Sequence, residues 1–298
     1  MRVQLRSRRL HLPAVAILGL LFVGVAGGQA ADPFVAGGRS TRALPPPADD
    51  HARARARGHE VALALGLPGV SQRVERLADR FEHRTYDEVT SLDPGGREVA
   101  ITRLELDGSV AMALTLGWHP AGGRALDGPA ATKRAEAVAR AAGHVAAGRP
   151  DVRRSAGAGG WSIAWQRTVD GLVVRGDGLR IALWADGTFH GLTRTERQLA
   201  SKPARQIGAG EARKAATAIV AASVGEAAGE LRVIALERAW LAPNDSFGGP
   251  RLDAPAEILR LAWVVRFEAS GALAERLRSI EIWLDAGDGS LLGGDRIT

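Results

Sequence analysis

Apolar and polar positions along this chain follow three different rhythms. Residues 13–26 are almost wholly apolar, Pro13-Ala-Val-Ala-Ile-Leu-Gly-Leu-Leu-Phe-Val-Gly-Val-Ala26. Residues 51–65 are rich in Ala, Arg and Leu, which favours a helix, and Gly66 and Pro68 stop it. Asp49 or Asp50 can cap its start. Three strand-like runs follow, 84–92, 98–106 and 110–118, separated by Asp93-Pro94-Gly95-Gly96 and by the hairpin pair Asp107-Gly108. Val110, Met112, Leu114 and Leu116 recur with period two and share one face. The pattern predicts an antiparallel meander over 84–118 with one face wet.

Beyond residue 126 one pattern occurs twice. Pro129–Ala142 and Gly210–Ser223 are Ala-rich helices. The first places Ala131, Ala135, Val138 and Ala142 on one narrow stripe, and the second Ala212, Ala215, Ile219 and Ala222. Such stripes let a helix lie close on a sheet. Each helix precedes alternating strands that end in Trp-x-Asp, at Trp184-Ala-Asp186 and Trp283-Leu-Asp285, followed by a Gly-bearing turn. Helix then antiparallel strands, twice, predicts an α+β fold: tandem units of one helix packed on an antiparallel sheet, preceded by a helix and a β-meander. Trp184 and Trp283 are expected at equivalent places.

The run Gln166-Arg-Thr-Val-Asp-Gly-Leu-Val-Val-Arg-Gly-Asp-Gly-Leu-Arg-Ile181 resembles the propeptide domains of thermolysin- and fungalysin-like metalloproteases, with a Gln-bearing strand, a Gly turn and a Val-x-Gly element. Leu261-Ala-Trp-Val-Val265 and Trp283-Leu-Asp285-Ala286 resemble the ending of PepSY domains. Gly287-Asp288-Gly289-Ser290 departs from that ending, which carries a Thr-Gly pair. The resemblance spans about residues 126–298 and does not cover 51–120.

The start of the chain changes the meaning of its charge. Arg2, Arg6, Arg8 and Arg9 precede the apolar run, and Gly28 and Ala30 offer a small-residue cut, so 1–30 reads as an export signal peptide of the general secretory or twin-arginine route. The apolar run is shorter than a spanning helix needs. Without these residues 35 basic side chains face 33 acidic ones, a net charge of +2, which argues against nucleic acid as partner. Residues 31–50, with Gly37-Gly38 and three consecutive prolines, read as a flexible linker. Domains are then expected at 51–125 (helix plus meander), 126–202 and 203–298 (two PepSY-like units). No membrane span is expected after cleavage, so the protein should be periplasmic or extracellular.

The search for chemistry finds no catalytic motif. There is no Cys. His59-Glu60 begins a His-Glu-x-x-His, but Leu63 stands where the second ligand belongs. There is no nucleophile elbow, and Gly208-Ala-Gly210 has Arg213 where a dinucleotide fingerprint needs a small residue. Asp285–Gly289 lacks the acidic ladder of a calcium loop. Arg53, Arg55 and Arg57 spread round their helix and read as a solvated face. Hence no enzyme, no cofactor and no metal are expected. Trp161 and Trp165 share one face of a strand and, with Gln166, form the candidate surface for a partner or ligand.

The resemblance implies an exported, non-catalytic interaction module. Its expected partner is an exported protein, a secreted protease above all, bound and inhibited or chaperoned through the sheet. The alternative is an envelope ligand-binding protein that uses the Trp-rich strands.

Overall fold

The computed structural model describes residues 41–44, 48–79, 84–117, 122–154, 160–250 and 258–298. The expected leader, 1–30, lies outside the described residues. The chain opens with β1 (Thr41–Leu44), α1 (Ala48–Leu65), β2 (Ser71–Asp79), β3 (Arg84–Leu92), β4 (Glu98–Glu105) and β5 (Val110–Thr115). Then come α2 (Gly128–Ala141), β6 (Asp151–Arg154), β7 (Trp161–Val169), β8 (Leu172–Leu183), β9 (Phe189–Thr195) and β10 (Gln198–Leu199). The last part holds α3 (Ala209–Val224), β11 (Leu231–Leu241), β12 (Ile258–Ala269), β13 (Ser279–Asp285) and β14 (Leu291–Ile297). β1 and the start of α1 thus fall inside the stretch read as linker.

Each helix is set by its own residues. In α1, Asp49 and Asp50 sit in the first turn, where the helix dipole favours anions. Ala54, Gly58, Val61 and Leu65 form the buried stripe. Gly58 is there for space, since a Cβ would come within 2.7 Å of the Val89 methyls. Asp127 caps α2, its carboxylate accepting from the Ala130 N–H at 2.8 Å. Ala131, Ala135, Val138 and Ala142 are buried as expected. In α3 the buried residues are Ala212, Ala216 and Val220. The stripe is rotated from the expected Ala215, Ile219 and Ala222, and Ala222 is exposed.

The strands join into one 14-stranded sheet with the order β1-β2-β3-β4-β5-β9-β8-β11-β12-β13-β14; β7 also pairs with β8, and β6 with β7. Two antiparallel stretches are joined edge to edge by β5 and β9, at Met112 to Thr193, Ala113 to Leu192 and Leu114 to Gly191. β8 then meets β11 in parallel through only two pairs, Val173 to Ala239 and Val174 to Trp240. β10 adds a second parallel pairing, with β12. The expected tandem of helix-on-antiparallel-sheet units is therefore corrected. Strand edges that would close each unit are used to pair with the next, so the sheet is continuous and mixed. The wet face expected for the meander is corrected too, because Val110 to Leu114 are all buried on both faces of β5.

α1 and α2 share one core with β2–β5 and β7–β9, which includes Val89, Leu104, Ile163, Ile181 and Leu192. α3 covers a second core with Val265, Phe267, Ile280, Ile282 and Leu284. Both α2 and α3 are tied at their entry to a hairpin corner. The Leu126 N–H donates to the Ala185 carbonyl at 2.8 Å, and the Ile207 N–H to the Ala286 carbonyl at 2.9 Å. This pairs Trp184 with Asp285, not with Trp283. Trp184 opens its turn by accepting from Gly187, and Asp285 by accepting from Gly289. Trp283 lies two residues before Asp285, inside β13.

Candidate functional site

A groove of about 750 Å³ lies between α1 and the start of β2. One wall is the α1 ridge His51, Arg55, His59 and Leu63, spaced by four residues and so stacked along the helix. This ridge lies beside the buried stripe rather than opposite it. The other wall is Leu67 to Gln72, with Ser91 behind. Gly66 at φ +68° and Gly69 at φ +129° turn the chain from helix into strand and shape that wall. Leu63 and Val70 stand 70% and 71% exposed at its rim. The Nε2 of His51 is buried without a hydrogen-bond partner.

Beside the groove runs a strand edge. β2 pairs with β3 along its whole length, but β1 pairs only with Arg76 to Asp79. Among the described residues, Ser71 to Glu75 therefore have a strand partner on one side only.

Elsewhere the buried acids are held by arginines. Asp177, fully buried, accepts from Arg197 Nε at 2.6 Å and from Arg167 at 3.2 Å. Asp87 accepts from Arg76 Nε at 2.8 Å. Glu281 on β13 accepts from Arg175, from Arg266 Nε at 2.8 Å and from the Trp283 indole at 3.3 Å. Burial pushes the Glu281 carboxyl up, but the hydrogen bonds and charges of Arg175 and Arg266 outweigh it and leave the group below the usual range. Burial raises its neighbour Asp295. Asp87, Asp177 and Glu281 are thus each bound to arginine and tie neighbouring segments together. A second depression, of about 540 Å³, is lined by Arg84, Glu105 and Glu196, and Arg84 pairs with Glu105 at 3.0 Å within it. Burial raises Glu105 as well.

Among the described residues two histidines are buried, His144 and His190. His144 Nε2 donates to the Val110 carbonyl at 2.7 Å and links the end of α2 to β5. His190 lies against Trp184, with ring centroids 4.3 Å apart. Burial lowers both imidazoles. Among the described residues no three His, Asp or Glu side chains gather closely enough to hold a metal.

The expected surface of Trp161, Trp165 and Gln166 is not brought together. Trp165 is 4% exposed and packs in the core under α2. Trp161 is half-buried against that core with the Arg154 guanidinium 5.9 Å from its ring centre. Gln166 is exposed and, by strand alternation, faces the other way. The solvated-face reading holds for Arg53 and Arg55, both exposed, and not for Arg57, which is half-buried. Arg53 pairs with Asp50, and Arg57 with Glu60 and the Gly108 carbonyl. Arg55 belongs to the groove. The signal that marks it is the four-residue spacing of His51, Arg55 and His59, which alternate-position counting of arginines passes over.

No family model matches this chain, and no curated protein matches it. Among solved structures the Bacillus megaterium YpeB C-terminal domain is similar, with a TM-score of 0.45 and 11% identity over 82% of this chain and 96% of that one. A likeness of that size places no function on this chain.

Proposed function

We propose that the chain is an exported, non-catalytic binding module that takes an extended segment of a partner protein into the groove beside α1. The observation that carries the reading is the groove itself, where a helix ridge, an apolar rim and an unshared strand edge run side by side. A strand edge offers backbone hydrogen bonds to any sequence, and an adjoining groove receives alternate side chains. Asp87, Asp177 and Glu281 support the non-catalytic half, since each is committed to arginine. The basic and apolar leader supports export. A secreted protease is the partner class implied by the propeptide-like motifs, and inhibition or chaperoning would follow from occupying its substrate-facing segment.

Site-resolved crosslinking tests this. A photoreactive residue replaces Leu63, Val70 or Gln166 in the mature protein, which is irradiated with an envelope extract of the source cells. Adducts at Leu63 and Val70 that map to one extended segment of one protein, with none at Gln166, support the reading. Adducts confined to Gln166, or none at all, overturn it. Loss of peptide hydrolysis by a captured protease would support the inhibitory form.

A further inference from the structure

We propose that the groove selects a segment carrying an acidic side chain, docked as an added strand beside Ser71–Glu75 with its carboxylate on Arg55. The inference rests on the reading above and adds the chemistry of the occupant. Its first support is charge. The groove lining includes His51, Arg55 and His59 and contains neither Asp nor Glu. The arginines around it are neutralised: Arg53 by Asp50, Arg57 by Glu60, Arg73 by Glu98 and Arg76 by Asp50 and Asp87. Arg55 has no carboxylate partner among the described residues. The guanidinium on that ridge presents a fork of donors that fits a carboxylate.

The second support is the backbone. β1 arrives antiparallel and pairs with Arg76–Asp79, leaving five residues of β2 toward the groove end without a second partner among the described residues. A segment laid there directs every other side chain to the same side, at a repeat of roughly 7 Å. The α1 ridge advances about 6 Å per four residues. One acidic side chain among neutral ones therefore meets the ridge once, and its neighbours on that face meet Leu63 or the histidines.

Fluorescence anisotropy with three labelled peptides tests the proposal on the mature protein. The probe is Val-Thr-Val-Asp-Val-Thr-Val, compared with the same peptide carrying Asn for Asp and with the Asp peptide N-methylated at alternate amides. The expected result is saturable binding of the Asp peptide about tenfold tighter than the Asn peptide, and loss of binding on N-methylation. Arg55→Gln should bring the Asp peptide to the level of the Asn peptide. Because Arg55 is exposed, the thermal midpoint should not move. Equal binding of the Asp and Asn peptides overturns acid selection while leaving polypeptide binding in place. Tight binding of the N-methylated peptide overturns strand docking. Asp-selective binding that Arg55→Gln does not change overturns the assigned carboxylate contact. Failure of all three peptides to bind overturns this inference, and silent crosslinking positions would take the proposed function with it.

Discussion

Asn244 closes the outer edge of the sheet on Gly294: its amide nitrogen donates to the Gly294 carbonyl at 2.9 Å, and its amide oxygen accepts from the Gly294 N–H at 3.0 Å. The Asn244 backbone N–H also donates to the Leu292 carbonyl at 2.8 Å. One side chain thus occupies both backbone groups of Gly294, through which β14 could recruit another strand. Gly294 has no room for a side chain, since a Cβ would sit 2.3 Å from the Glu281 carbonyl oxygen. Asn244→Ala should cost about 1–3 kcal/mol, the range for orphaned buried hydrogen-bonding groups. It should also raise the self-associated fraction. Urea titration and light scattering check both, and an unchanged monomer of full stability would contradict the plug.

Gly58→Ala pits two effects against each other. Alanine is favoured over glycine inside a helix by about 1 kcal/mol. Overpacking a tight contact costs about 1–3 kcal/mol, and here the new methyl would meet Val89 within 2.7 Å. Steric conflict should win, giving net destabilisation. Pairing the change with Val89→Ala should relieve part of it, and a double-mutant cycle should show that coupling.

The Glu281 cluster gives a pH dependence with a definite sign. Its folded-state pKa lies below the unfolded value. The stability it contributes is therefore present above the unfolded pKa and is lost as pH falls through the folded one. Asp295 has the opposite shift, so it favours folding more as it takes up a proton. Glu281→Gln should cost about 3 kcal/mol or more at neutral pH, because Arg175 and Arg266 lose a buried counter-charge. It should also flatten the acid limb of stability, whereas Asp295→Asn should raise stability at neutral pH. Denaturant midpoints between acid and neutral pH measure all three proteins.

Arginine at a buried helix position should unfold its region, and at an exposed one it should not. Ala135 and Ala216 are fully buried under α2 and α3, and Ala222 is exposed. Ala135→Arg and Ala216→Arg should each cost several kcal/mol, against under about 0.5 kcal/mol for Ala222→Arg. Far-UV dichroism with thermal melting separates these outcomes.

What could be read from the chain depended on how local each signal was. α2 was legible because its apolar stripe, Ala131 to Ala142, lies within twelve residues; its Asp127 cap was not read. In α3 nearly every candidate position is small and apolar, so composition marked the helix but not which Ala faces inward. β2 was missed because Arg73, Glu75, Arg76 and Asp79 break the look of a strand. Arg76 is nonetheless half-covered, paired to Asp87 from the next strand and to Asp50 from α1. The shared Trp-x-Asp letters set Trp184 against Trp283, while the turns align Trp184 with Asp285. Identical residues there marked similar composition rather than equivalent places. The edge-to-edge joints left no pattern, since two or three ladder pairs impose no periodicity. The candidate groove was half-legible, as its ridge follows helical spacing but its far wall depends on where β2 begins.

The two-pair contact between β8 and β11 gives the sheet a mechanical weak point. Antiparallel neighbours such as β11 and β12 are joined along ten pairs, whereas β8 and β11 share only two. A pulling force applied through β2 and β14 should concentrate at that junction, held there by its two ladder pairs, the Arg175 bridges to Glu237 and Glu281, the short β10–β12 pairing and the small cluster of Val174, Trp240 and Leu261. In an optical trap the sheet should part there at low force and release the β11–β14 stretch with α3 still seated. The two pieces would then behave as separate springs in series rather than as one stiff plate.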